Sequence, residues 1–246
     1  RKEVRDLDTI PFPDYDGFDF GKIAGNMANL LEINEDHAIT MTLSRSCPFQ
    51  CTFCFRTSGS HYRKRSLDNF FAELDILVEK YGIKYIFVSD ELFAYNLKRV
   101  LEFCARIKPY NIRWWAQFRV SDVTEEMLIA LKDANCATMG FGLESADDRI
   151  LESMNKKIKF VQTERALKLT YDYGIAIQGG FIFGDVEETL ETATKTLNWW
   201  KEHTEYGITL NFITAYPGTP LYKQAVLKGV IKDEVQFIRD GCPVVN

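Results

Sequence analysis

The chain reads as an α/β protein, a partial TIM barrel in which six β/α units share one parallel sheet. Three observations predict this. Six short runs rich in apolar, β-branched and aromatic residues recur along the sequence, helical patterns separate them, and only about 30 residues follow the last run. That remainder is too short for the two further units of a closed eight-fold barrel.

The strand runs cover residues 38–43, 84–88, 112–118, 137–143, 175–183 and 208–215. Leu67, Phe70, Phe71, Leu74, Leu77, Val78 and Tyr81 recur at spacings of three and four and define the first helix. Leu97, Val100, Leu101, Cys104 and Ile107 define the second in the same way. Thr124 is placed to cap a third, with Val123 and Leu128 as its hydrophobic staple. A fourth helix ends at Gly174, a natural C′ residue, and a fifth carries Leu190, Ala193, Leu197 and Trp200 on one face. Strands that alternate with helices form a parallel sheet, because each parallel strand is reached by a crossover. Such folds gather ligand chemistry at the C-terminal ends of their strands.

Composition narrows the partners. With 246 residues, 46% of them hydrophobic, the chain supplies one substantial core. Its 30 Lys and Arg against 35 Asp and Glu give a net charge of -5, without the basic footprint of a general nucleic-acid binder. No apolar run approaches the roughly 18 residues of a membrane helix, and the first residues lack a signal-peptide pattern, so a cytoplasmic location is expected. Residues 1–36, with Pro11, Pro13, Asp14, Asp16 and Asp19, are expected to be a linker and lead-in from a preceding domain. Residues 37–230 form the barrel, and 231–246 begin a C-terminal extension.

Six cysteines raise the question of disulfides, but three of them crowd into one loop, unlike the framework of a small secreted domain. Cys104 and Cys136 fall in or beside regular elements and are expected to be buried thiols; Cys242 lies in an irregular tail. The remaining three, Cys47, Cys51 and Cys54, lie within eight residues just after the first strand. Three soft thiolates on so short a loop can hold three corners of an iron-sulfur cube and leave the fourth iron without a protein ligand. Two rival readings remain: a structural zinc site with His61 as fourth ligand, and a closed electron-transfer cluster. The second needs a fourth thiolate that Cys104 and Cys136 are poorly placed to give.

The Cys-x3-Cys-x2-Cys spacing after the first strand, with Phe53 before the third cysteine, resembles the radical S-adenosylmethionine superfamily. Later strand ends add to the resemblance. Ser89-Asp90-Glu91 stands where the family holds the cofactor's amino group, although the family's glycines are missing here. Gln117 and Arg119 follow the third strand, and Arg119 is expected to pair with the methionine carboxylate. Glu144, before Ser145, stands at the place of a ribose-binding carboxylate. Gly180-Phe181-Ile182-Phe183-Gly184-Asp185-Val186-Glu187 fits the Gly-x-Ile-x-Gly-x-x-Glu pattern that lies against adenine. Tyr216-Pro217-Gly218-Thr219-Pro220 is similar to a segment of the subgroup related to methylthiotransferases, and residues 5–13 resemble the linker of cobalamin-dependent members.

The resemblance implies a 4Fe-4S cluster, S-adenosylmethionine, and cobalamin bound mainly by a domain outside this chain, whose Asp-x-His-x-x-Gly motif is not found here. It implies reductive cleavage of S-adenosylmethionine to a 5′-deoxyadenosyl radical, with electrons from a donor such as flavodoxin or ferredoxin. C-methylation of a small molecule is the leading outcome; cyclisation, rearrangement and methylthiolation stay open. Trp114, Trp115, Trp199 and Trp200 are expected either to line the substrate pocket or, more commonly for such residues, to sit in the core.

Overall fold

The computed structural model describes residues 3–30, 37–59, 61–93 and 96–244, with side chains omitted for 28–30. Its elements run α1 (Phe20–Leu30), β1 (Ala38–Met41), β2 (Ser44–Arg45), β3 (Arg63–Lys64), α2 (Leu67–Tyr81), β4 (Tyr85–Val88), α3 (Leu97–Ile107) and β5 (Arg113–Phe118). There follow α4 (Glu125–Asp133), β6 (Cys136–Glu144), α5 (Asp148–Ser153), α6 (Phe160–Asp172), β7 (Ala176–Phe183), α7 (Leu190–Glu202), β8 (Thr209–Phe212), α8 (Pro220–Leu227) and α9 (Glu234–Arg239). Six strands pair in parallel in the order β1-β4-β5-β6-β7-β8, the sequential order of a partial barrel. β2 and β3 form a separate antiparallel pair that brackets the cysteine loop.

Alternation along the strands divides the sheet. In β5, Trp114, Ala116 and Phe118 join the core beneath the helices, while Trp115 and Gln117 occupy the opposite, inner face. Phe70, Phe103, Trp114 and Phe118 are almost wholly buried, and the indole N–H of Trp114 donates to the carbonyl of Ala134 at 2.7 Å. The helix boundaries follow the cap chemistry: Thr124 accepts from the Met127 N–H, Val123 and Leu128 are buried, and Gly174 takes φ 65° after α6.

One feature departs from the sequence reading. The buried side of α7 is not the Leu190, Ala193, Leu197 stripe: Leu190 is 85% exposed, and Thr192 and Thr196 face inward instead. Thr196 turns inward because its hydroxyl accepts from the Ala146 N–H and meets Ser145 Oγ, polar groups at the end of β6 that a leucine would leave unpaired. The lead-in packs against the barrel. Asp8 accepts from the Ser66 N–H, Tyr15 donates to Glu73 at 2.6 Å, and Asp16 binds both Lys80 and Tyr81 on α2.

A second, smaller cluster sits beside the C-terminal ends of β7 and β8, built from Ile150, Met154, Ile213, Ala215, Leu221, Tyr222, Ala225, Ile231 and Phe237. Phe53, Ile182 and Cys242 pack on it. This cluster joins the cysteine loop to the last strands of the sheet.

Candidate active site

The cysteine loop leaves β2 through Ser46, whose φ of 69° turns the chain and whose hydroxyl donates to the Gly59 carbonyl at 2.8 Å. Three later elements then hold it. Thr52 donates its N–H to the Met154 carbonyl at 3.0 Å and accepts at its own carbonyl from the Leu221 N–H at 3.0 Å. Asn155 donates its amide to the Gln50 carbonyl at 2.7 Å. The Arg119 guanidinium stacks on the Phe49 ring, 3.5 Å from its centroid.

Cys47 and Cys51 are half-buried and Cys54 is exposed. Burial pushes all three thiols up, Cys54 to about 11, with further upward pressure on Cys54 from the two neighbouring sulfurs. The Phe49 N–H, Arg119 and Lys156 oppose that rise at Cys47. Three mutually interacting thiols, with cations beside them and no imidazole or carboxylate in the set, fit an iron-sulfur cube. His61, the fourth ligand of the zinc reading, pairs with Glu3 at 2.8 Å.

The other strand-end residues take distinct positions. Ser89 is exposed, 3.4 Å from the Thr42 hydroxyl. Asp90 is buried and accepts from the Leu43 N–H and the Ser44 hydroxyl, both at 2.7 Å, which ties the end of β4 to the start of the cysteine loop; burial pushes its carboxyl up to about 6. Glu91 accepts from Thr57 through one carboxylate oxygen, while its Oε2 is buried with no hydrogen-bond partner. A buried carboxylate oxygen without a donor is costly, so this atom suits an incoming N–H group.

Arg119 is buried and donates to the carbonyls of Lys156 and Lys157 at 2.9 and 3.1 Å. Its guanidinium thus braces the 155–157 turn, in which Asn155 and Lys157 both have positive φ. Glu144 stands at φ 66° where the register of β6 on β7 shifts, and its carboxylate meets Lys156 Nζ at 2.5 Å with both side chains almost buried. Burial pushes the Lys156 ammonium down, but Glu144 and then Cys51 push it further up, so it is held charged. Gly142 makes room for the pair: a Cβ there would stand 2.4 Å from Glu144 Oε1 and 2.7 Å from Lys156 Nζ.

Below this pair a cleft of about 400 Å³ opens on the inner face of the sheet, lined by Phe87, Trp115, Gln117, Gly180, Ile182 and Asn211 among others. Phe87 and Trp115 stack at 3.9 Å between centroids. Of the four tryptophans only Trp115 lines this cleft; Trp114 is core, and Trp199 and Trp200 pack against the core from α7. Tyr216 is exposed, its ring 6.3 Å from that of Phe55 on the cysteine loop. Sequence reading missed Lys156. The available signal was the run Asn155-Lys156-Lys157 directly after the short α5, where a turn brings the chain back to the strand end that carries Glu144.

A soft-thiolate loop held over the C-terminal ends of a parallel partial barrel, beside a buried Glu–Lys pair and an open cleft, defines a cofactor-dependent enzyme site. The chain belongs to the Radical SAM superfamily, whose family model matches residues 41–200. Membership assigns the site its cofactors, a 4Fe-4S cluster and S-adenosylmethionine. An uncharacterised methyltransferase of Pyrococcus horikoshii is 34% identical over 235 residues, covering 94% of this chain and 50% of the relative. The anaerobic magnesium-protoporphyrin IX monomethyl ester cyclase of Rubrivivax gelatinosus is 26% identical over 226 residues, covering 90% of this chain and 40% of the cyclase. In fold the chain is similar to the radical S-adenosylmethionine methyltransferase TsrM from Kitasatospora setae, with a TM-score of 0.71 at 20% identity over 79% of this chain and 40% of that one. The chain spans about half the length of the first of these relatives and less of the others.

Proposed function

We propose that this chain is the catalytic barrel of a cobalamin-dependent radical S-adenosylmethionine enzyme that methylates an unactivated carbon of a small molecule. The observation that carries the reading is the three-thiol loop, pinned by Met154, Asn155 and Leu221 above the cleft. Methyltransferase relatives, and the similarity of residues 5–13 to a cobalamin-domain linker, support methylation and cobalamin dependence. On this reading residues 1–36 lead from a cobalamin-binding domain, 37–230 form the catalytic barrel and 231–246 begin an extension.

When bound, the cluster and S-adenosylmethionine supply one-electron cleavage of a sulfur–carbon bond and a radical that removes hydrogen from substrate. Cys47, Cys51 and Cys54 hold the cluster, and Phe53 packs the loop onto the second hydrophobic cluster. Glu91, with its unpartnered Oε2, and Ser89 would hold the cofactor's amino group, while Asp90 keeps the loop start in place. Lys156 offers the charge for its carboxylate, with Arg119 as the brace behind it. Glu144 would receive the ribose hydroxyls, and Gly180 and Ile182 would lie against the adenine. Gln117, Trp115 and Phe87 shape the space where substrate is held away from water. A one-electron carrier such as flavodoxin or ferredoxin supplies the reducing equivalent.

A second reading, oxidative ring formation, is favoured by the cyclase relative. Anaerobic reconstitution tests the first step: iron and sulfide should bind, the absorption should change on adding S-adenosylmethionine, and 5′-deoxyadenosine should form. Loss of iron in Cys51→Ala should remove that product, and full retention would overturn the assignment. Product mass separates the two outcomes, since methylation adds one CH2 and ring formation removes hydrogen.

A further inference from the structure

The inner face of the sheet is layered beneath the Glu144–Lys156 pair. Strand register sets Phe87 beside Trp115 deepest in the cleft, Gln117 and Gln178 on either side of Gly140 one step up, and Gly142 beside Gly180 above them. The cleft of about 400 Å³ therefore has an aromatic floor, two amides along its middle and Glu144 at its mouth. Gly142 and Gly180 place no side chain between mouth and floor, so a ligand can reach down to the amides and the rings.

The polar groups at this depth lack partners. The Trp115 indole N–H is buried without a hydrogen-bond partner, a state that costs free energy in an interior. Gln117 and Gln178 form no side-chain hydrogen bond among the described residues. The three converge on Gly140: a Cβ there would stand 2.6 Å from Gln117 Oε1 and would overlap the Trp115 ring. Trp115 stacks on Phe87 with an interplanar angle of 6°, and the half-buried Phe87 ends that stack as a flat apolar surface. Among the described residues that line the cleft only Glu144 is charged, and it is engaged with Lys156. A carboxylate or phosphate pressed to this depth would give up its water and meet neutral groups alone. An amide or lactam instead brings one acceptor and one donor, and a glutamine side chain answers both.

We propose that this site takes a substrate with a flat ring system bearing an uncharged amide or lactam, selected by Gln117, Gln178 and the Trp115 N–H around Gly140. The inference rests on the enzyme reading above, in which the cofactor takes the mouth of the cleft and substrate the space beneath it. The ligand's ring packs on Phe87. Its carbonyl accepts from the indole N–H at the edge of the stack, and its N–H and remaining lone pair are met by the two glutamine amides. Selection comes from both sides of the match: the amide satisfies buried groups, and an anionic analogue finds no cation at that depth.

The test compares three probes by equilibrium dialysis against the full chain: 2-naphthamide, its charged counterpart 2-naphthoate, and cyclohexanecarboxamide, which keeps the amide and lacks the flat ring. The wild-type protein should bind 2-naphthamide about tenfold or more tightly than 2-naphthoate, and about threefold or more tightly than cyclohexanecarboxamide. Gln117→Leu/Gln178→Leu should weaken 2-naphthamide by about tenfold, and Trp115→Phe, which keeps a ring and loses the N–H, by about threefold. Trp199→Phe, a tryptophan on α7 outside the cleft, should leave binding unchanged. Equal or tighter binding of 2-naphthoate by the wild type, or no binding of any probe at millimolar concentration, would overturn the substrate class. Unchanged 2-naphthamide affinity in both the double variant and Trp115→Phe would overturn the assignment to these residues. Neither result touches cluster assembly, so the enzyme reading would stand. Failure of the wild-type protein to form a cluster would instead overturn the enzyme reading, while dialysis of the cluster-free chain would still decide the ligand class.

Discussion

Asn155 reaches across 105 residues of sequence to donate its side-chain amide to the carbonyl of Gln50, at 2.7 Å, between the first and second cysteines. The same turn receives the Thr52 N–H at Met154. The cysteine loop is thus shaped by the segment after β6 and not only by its own residues. Asn155→Ala removes one of these ties and also places alanine at a positive φ. A loss of about 1–2 kcal/mol in urea unfolding is expected, together with lower iron content per chain after reconstitution. Asn155→Gly keeps the backbone freedom but not the amide. It should recover part of the stability and little of the iron binding, because the Gln50 tie stays broken.

Lys156 and Glu144 form the most buried ion pair near the site, with side chains 13% and 6% exposed. Removing one partner leaves an uncompensated charge in a poorly solvated place, which costs about 3–5 kcal/mol. Lys156→Met should show that loss in denaturant unfolding of the cluster-free protein. The double variant Lys156→Met/Glu144→Gln should recover much of it, since neither charge then remains. Equal losses in the single and double variants would mean that packing, not charge pairing, governs this corner.

Some of this architecture is legible in sequence and some is not, for physical reasons. The six strands stand out because period-two and period-3.6 patterns follow directly from burial, and three thiols in one loop stand out because soft ligands are rarely spent on loops. Helix α7 misleads because its neighbour is polar: Thr196 satisfies Ala146 and Ser145, a need no periodicity reveals. Asp90 reads as a ligand-facing acid, yet its two oxygens are occupied by Leu43 and Ser44. Arg119, expected to pair with the methionine carboxylate, also gives two hydrogen bonds to the turn that delivers Lys156. The partners that Asp90 and Arg119 take within the chain come from other strand ends, which residue type alone does not reveal.

Asp90 supplies a pH signature. Burial raises its carboxyl from the usual range to about 6, so the folded state binds this proton more tightly than the unfolded chain does. The sign follows: its contribution is most favourable below about pH 4 and falls as pH rises towards 6, by roughly 3 kcal/mol over the full interval. Asp90→Asn has no such titration. The stability difference between wild type and variant, measured by urea unfolding from acid to neutral pH, should therefore shift against the wild type as pH rises. A difference independent of pH would contradict the raised carboxyl.

Gly142 leaves room for the Glu144–Lys156 pair. A methyl group there would stand 2.4 Å from Glu144 Oε1 and 2.7 Å from Lys156 Nζ, closer than atoms can approach, so one of the paired side chains has to move. Gly142→Ala should cost about 1–3 kcal/mol, the range for overpacking in a filled interior. Its larger effect is expected on the cofactor, because Glu144 and Lys156 meet S-adenosylmethionine together in the proposed site and would no longer share one geometry. Equilibrium binding of S-adenosylmethionine to the reconstituted protein should weaken while iron content stays near the wild-type level, since Gly142 lies on β6 and the thiols do not contact it. Gly174→Ala provides the comparison: its φ of 65° strains alanine at a helix end remote from the thiols, so it should lose stability and keep cofactor affinity. Parallel losses of affinity in both variants would show that general destabilisation, not displacement of the Glu144–Lys156 pair, governs binding.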